Sequence, residues 1–266
     1  MVRGVLFDKD GTLIDFYDLW EKAALTVIPA FMEENQIPKE DAMEENLLET
    51  LGVFEGKADR EGSLSYASLG EIAENMQKAL EERGICASQS IIQKQITFLF
   101  SAYISNEQTS FKPLADLEAV FKSLKAQGIY IGLATADTIL STTNCIEKLG
   151  VKEYFDFIGS NDGSMQLKPA PDMLEAFADK MEIMTEEVLV VGDTYNDICF
   201  AQQCGSLSAG VLCGISGVED FYGEADYLLE TVAGVGLLCR SINRRAEEKQ
   251  DTGNIWELGN AIGQTL

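Results

Sequence analysis

Four short segments carry side chains that could do chemistry together. Asp8-Lys9-Asp10-Gly11-Thr12 sets two carboxylates two residues apart, directly after the apolar run Val2 to Phe7. If that run is a strand that continues, both carboxylates point the same way. Held so close, they repel each other unless a cation or a shared proton intervenes. Val190-Val191-Gly192-Asp193-Thr194-Tyr195-Asn196-Asp197 gives a second acidic cluster after a second apolar run. Asp193 also stands where a helix N-cap belongs, with Asp197 one turn later on the same face. Oxygen-only ligands suit a hard cation, and Mg2+ is the expected one because it takes few carboxylates and keeps several waters. Such an ion would offset the carboxylate repulsion. Leu133-Ala134-Thr135-Ala136-Asp137 closes a third apolar run. Thr135 offers a hydroxyl and a backbone N–H at a helix start, which reads either as an anion site or as a plain cap. Lys168-Pro169-Ala170-Pro171-Asp172 supplies a cation. A residue before proline is steered to extended backbone, and an ammonium is a compact point charge suited to phosphate or an aspartyl phosphate. Taken singly, each segment also has an ordinary reading as an acidic turn, a cap or a surface lysine.

The elements that must position these residues follow from periodicity. Val2–Phe7, Ile129–Ala134, Asp156–Gly159, Val188–Val191, Ser208–Cys213 and Tyr227–Leu229 read as strands, several of them apolar on both faces. Helices are expected over Leu114–Gln127, Thr138–Leu149, Asp172–Met181 and Asn196–Gln203. This alternation predicts an α/β fold with a doubly wound parallel sheet and right-handed crossovers. Ligands of such sheets bind beyond the carboxyl ends of the strands. Between the first strand and Pro113 the rhythm differs. Asp18–Glu34, Lys39–Leu51, Ser68–Arg83 and Ser88–Ile104 carry apolar residues at helical spacing, with no convincing strand among them. The expected organisation is a sheet domain from 1–15 and 108–240, an inserted all-helical domain over 16–107, and a C-terminal helix and tail over 241–266.

Composition narrows the chemistry. The chain has 266 residues, is 46% hydrophobic, and carries a formal net charge of −24. Such a charge repels polyanions, so nucleic acid is not an expected partner. There is no histidine, which removes the commonest general base and the commonest transition-metal ligand. The six cysteines form no Cys-x-x-Cys pair and no zinc-like spacing. They are expected to be free thiols in a reducing, cytoplasmic compartment. No apolar run approaches the ~20 residues of a membrane span, and no membrane partner is expected.

The four motifs occur in the order nucleophile, hydroxyl, lysine, acidic pair. In that order, over residues 1 to about 230, the sequence resembles the haloacid dehalogenase superfamily. The resemblance is to its phosphoglycolate phosphatase-like and β-phosphoglucomutase-like members, which join a Rossmann-like core to a helical cap. It implies that Asp8 attacks phosphorus to give an aspartyl phosphate, and that Asp10 protonates the leaving oxygen and then activates water. It further implies that Thr135, Ala136 and Lys168 hold phosphoryl oxygens. Mg2+ would be bound by Asp8, the Asp10 carbonyl and Asp193, with Asp197 in or near the shell. Relatives that cleave carbon–halogen or carbon–phosphorus bonds lack the second acid, so Asp10 favours a phosphate ester. The implied activity is hydrolysis of a small phosphorylated metabolite, by a monomer or homodimer. A phosphomutase of the same fold is the alternative, and a catalytically idle phosphate- or metal-binding regulator a remoter one. The helical insert is expected to close over the site and choose the substrate. Lys57 and Arg60 are candidate substrate contacts within it. One departure is Lys9, where the subgroup more often has an apolar residue. A salt bridge to Asp15 or Asp137 is the role its charge suggests.

Overall fold

A computed structural model describes residues 1–38, 41–59 and 62–248. Lys39, Glu40, Arg60, Glu61 and the tail from 249 to 266 lie outside the described residues, and with them the expected contact by Arg60 and the tail's role. In chain order the elements are β1 (Gly4–Phe7), α1 (Phe16–Glu34), α2 (Asp41–Thr50), β2 (Val53–Phe54), β3 (Lys57–Ala58), α3 (Ser63–Tyr66), α4 (Leu69–Glu82), α5 (Gln89–Ser105), α6 (Leu117–Lys125), β4 (Tyr130–Ala134), α7 (Ile139–Lys148), β5 (Phe157–Gly159), α8 (Asp172–Met181), β6 (Val188–Gly192), α9 (Tyr195–Gln203), β7 (Leu207–Val211) and β8 (Tyr227–Leu229). A further helical stretch runs over 235–248.

The chain divides into two compact units. The first comprises Met1–Leu13, Pro113–Ala136 and the residues from Gly150 onward. It is built on a six-stranded sheet in the order β5-β4-β1-β6-β7-β8, every neighbouring pair parallel. All four residues of β1 and all five of β6 are buried, which is why both read as unbroken apolar runs. Leu6, Val188 and Val190 pack with Phe177 and Leu174 of α8 and Phe200 of α9 in one core cluster. After β1 the next strand of this sheet is β4 on one side, and β6 later joins on the other. The C-terminal end of β1 therefore lies at the switch point of the sheet.

The second unit comprises Ile14–Lys112 and Asp137–Leu149. Its core gathers Val27, Ile28 and Phe31 of α1, Leu47 of α2, Met76 and Leu80 of α4, and Ile96 and Phe100 of α5. The unit is helical, with one small exception that periodicity does not reveal. β2 and β3 form an antiparallel hairpin, turned by Glu55 (φ 50°) and Gly56 (φ 75°). Two consecutive positive φ angles are the signature of the tight turn that best matches strand twist. Lys57 lies on this hairpin, exposed. Helix α7, which the alternation assigns to the sheet domain, groups with the helical unit instead. The reason is local: Cys145 packs with Ile14 and Leu19, and Asn144 Nδ2 donates to the Ile104 carbonyl at 2.9 Å. All six cysteines are free. Among the described residues no helix is long and apolar enough to cross a membrane.

Helix α1 starts on a doubly used carboxylate. Asp15 Oδ1 accepts from the Asp18 N–H at 3.1 Å, and Lys112 Nζ lies 2.8 Å from Oδ2. Partial burial pushes the Asp15 carboxyl up, but Lys112 and the Asp18 N–H outweigh it and hold it below the ordinary range. Asp15→Ala is expected to lower unfolding free energy by about 1 kcal/mol at neutral pH, read by denaturant unfolding. A depressed carboxylate contributes stability above its unfolded pKa of about 3.9 and loses it as pH falls through the folded value. The gap between variant and wild type should therefore shrink on acidification below about pH 4.

Candidate active site

Sheet register brings the motifs together. Phe7 pairs with Leu133 on one side and with Val191 on the other. Asp8 thus stands one residue past β1, level with Ala134 and Gly192, and Thr135 and Asp193 follow one step further out. The Asp8 N–H donates to the Val191 carbonyl at 2.8 Å, which carries the ladder past the end of the strand. Strand β1 ends at Phe7, so the expectation that Asp8 and Asp10 project alike along a continuing strand does not hold. Gly11, at φ 81°, turns the chain there, and the Leu13 N–H donates to the Lys9 carbonyl at 2.9 Å.

Lys168 joins two of the acidic segments. Its Nζ lies 2.5 Å from Asp8 Oδ1 and 2.6 Å from Asp197 Oδ1, and its side chain is only 9% exposed. Burial works against its charge, but the Asp197 and Asp8 carboxylates outweigh this and hold its pKa above the usual lysine value. Asp8 is pushed up to about 7 by burial, with Lys168 opposing the rise and Asp197 and Asp10 adding to it. Asp193 is raised well above the ordinary range, first by burial and then by Asp8 and Asp197. Two of these three carboxylates, Asp8 and Asp197, therefore share one lysine. Water is largely kept from Asp193 and Asp197, which are 1% and 2% exposed.

The helix cap expected at Asp193 falls one residue later, on Thr194. Asp197 Oδ2 accepts from the Thr194 N–H at 3.1 Å and from its hydroxyl at 2.7 Å. Asp193 is thereby left out of the helix and held by other groups. Thr12 Oγ1 donates to its Oδ1 at 3.2 Å and the Ile215 N–H to its Oδ2 at 2.8 Å. A Cβ on Gly11 would stand 2.0 Å from Asp193 Oδ2, and one on Gly214 2.2 Å from it. Only glycine lets two backbone segments press against that carboxylate. Sequence reasoning missed Thr12, Gly214 and Ile215 as parts of the site. The one available signal was a glycine directly behind the strand beside β6.

Thr135 is buried, and its N–H donates to the Gly159 carbonyl at 3.0 Å. The backbone donor expected of it is thus committed to the sheet edge. Nor is Thr135 a cap, since α7 is capped by Thr138. Ala136 comes next, and its amide has no partner among the described residues. Lys9 is fully buried and pairs with Asp10 Oδ1 at 2.6 Å. Asp15, one of the partners suggested for Lys9, pairs with Lys112.

The donor set fits a hard divalent cation. It is oxygen throughout, it carries excess negative charge, and Asp193 is aimed by two hydrogen bonds. Among the described residues no group of three His, Cys, Asp or Glu side chains stands ready to hold a metal.

Residues 2–205 match the family of haloacid dehalogenase-like hydrolases, and the chain belongs to that family. Among its relatives are phosphoglycolate phosphatases. That of Escherichia coli O157:H7 is 30% identical over 232 residues, covering 84% of each chain. That of Neisseria gonorrhoeae is 27% identical over 213 residues, covering 80% of this chain and 81% of its own. The fold matches a crystal structure from Haemophilus somnus 129pt assigned as a phosphoglycolate phosphatase, with a TM-score of 0.66 at 17% identity over 90% of this chain and 98% of the other. It also matches one from Thermotoga maritima assigned as a β-phosphoglucomutase, with a TM-score of 0.63 at 18% identity over 91% of this chain and 100% of the other. At such identities the structures speak for the fold alone. Within its family the chain is an enzyme of the phosphatase type, similar to the phosphoglycolate phosphatases.

Proposed function

We propose that this enzyme hydrolyses a small phosphate monoester, of the phosphoglycolate or sugar phosphate kind, through a phosphorylated Asp8 and with Mg2+ as cofactor. The observation that carries the reading is the Lys168 ammonium, within 2.6 Å of both Asp8 and Asp197. The carboxylates of Asp8 and Asp193 and the carbonyl of Asp10 would hold the metal. Asp197, with one oxygen on Lys168 and the other on Thr194, stands near that shell as the anchor of Lys168. When bound, the cation supplies positive charge that offsets carboxylate repulsion and steadies the transferring phosphoryl group.

The chain's own residues do the rest. An oxygen of Asp8 bonds to phosphorus as the ester P–O bond breaks. Asp10 gives its proton to the leaving oxygen, so the alcohol departs neutral. Thr135, the Ala136 amide and Lys168 hold the phosphoryl oxygens. Asp10, now a carboxylate, takes a proton from water as the water oxygen bonds to phosphorus. The acyl P–O bond then breaks, and Asp8 and inorganic phosphate are released.

A panel of small phosphate esters tests this, with phosphate release followed with and without Mg2+. Release from phosphoglycolate or a sugar phosphate is expected, lost on chelation and restored by Mg2+. Isomer formation without net phosphate release would instead favour a mutase. No turnover of any ester with Mg2+ present would favour an idle binding protein.

A further inference from the structure

We propose that Lys9 is a positioning residue that holds the Asp10 carboxylate in line for proton transfer, a role that rests on the acid–base reading of Asp10 given above. Lys9 Nζ lies 2.6 Å from Asp10 Oδ1, with the lysine side chain 0% and the aspartate side chain 18% exposed. The two residues are adjacent, and neighbours on a strand would send their side chains to opposite faces. Here the strand has ended, and the turn closed by the Leu13 N–H on the Lys9 carbonyl lets the lysine fold over onto the acid.

Stability does not account for this arrangement. Withdrawing an ammonium from water is strongly unfavourable, and a buried ion pair is often no more stable than two apolar residues of similar volume in its place. Lys168 cannot take over the task, since Asp8 and Asp197 engage it. What Lys9 provides is direction. With Oδ1 held on Nζ, the rotation of the carboxylate is restrained and its other oxygen is left to carry the proton. In the first step that proton passes to the leaving oxygen as the ester P–O bond breaks. In the second the carboxylate receives a proton from the attacking water. Both transfers need the acid within hydrogen-bond reach of a moving oxygen, and misplacement by about 1 Å can cost as much as 100-fold.

The test compares Lys9→Met with wild type on two esters. One is an alkyl phosphate that wild type hydrolyses, whose alkoxide must be protonated to leave. The other is p-nitrophenyl phosphate, whose leaving group needs no proton. For the alkyl ester kcat/KM is expected to fall at least about 10-fold, and for the nitrophenyl ester by less than about 2-fold. A structural disturbance would lower both alike, so equal losses, or no loss on either, overturn the proposal while leaving the phosphatase reading intact. If wild type hydrolyses no alkyl phosphate, the phosphatase reading fails and this proposal with it. Should Lys9→Met not fold, Lys9→Gln is judged by the same ratio, with an expected selective loss of about 3-fold or more.

Discussion

Asp8→Asn is expected to reduce phosphate release by at least about 10,000-fold on every ester the wild type hydrolyses. The amide cannot form the acyl phosphate, and no neighbouring group is placed to replace it. Asp197 is tied to Thr194 and Lys168, and Asp193 is held by Thr12 and Ile215. The fold should survive, because the change removes one of several mutually repelling carboxylates and leaves Lys168 its second partner. Circular dichroism and a thermal melt close to wild type, with activity gone, is the expected pair of results. Retained turnover would mean that another group attacks phosphorus.

Asp193→Asn is the second change of large effect, and it acts through the metal. Asp193 carries the charge, but its aim comes from backbone and hydroxyl donors that an asparagine oxygen can satisfy on one side only. The substitution is expected to weaken Mg2+ binding by about 100-fold or more, measured by calorimetric titration of the protein without substrate. Turnover at limiting Mg2+ should fall by about 100-fold to 1,000-fold. Unchanged Mg2+ affinity would place the cation elsewhere.

The parts of this site that could be read from sequence are those written in side chains behind buried strands. β1, β4 and β6 are apolar on both faces, so their ends are visible, and Asp8, Thr135 and Asp193 mark them. The parts that could not be read are made of backbone. The Ile215 N–H on Asp193 carries no residue signature, and neither does the commitment of the Thr135 N–H to Gly159. Local geometry also shifted one assignment by a single residue: the cap moved from Asp193 to Thr194. β1 ends at Phe7, where its apolar run ends, so the Asp8–Asp10 spacing falls in a bend and not on a continuing strand. The hairpin over Val53–Phe54 and Lys57–Ala58 was missed because two-residue strands have no period to detect, although Glu55-Gly56 between them is a turn signal. Helix α7 followed its side-chain contacts into the helical unit, which strand–helix alternation cannot foresee.

The direct measurement of the central claim is chemical trapping during turnover. Enzyme mixed with substrate and Mg2+ is quenched, reduced with borohydride and digested, and peptides are read by mass spectrometry. An acyl phosphate on Asp8 is reduced to homoserine at that position, and the account predicts homoserine at position 8 and nowhere else. Phosphate release without reduction at Asp8, or with reduction at another carboxylate, would contradict it.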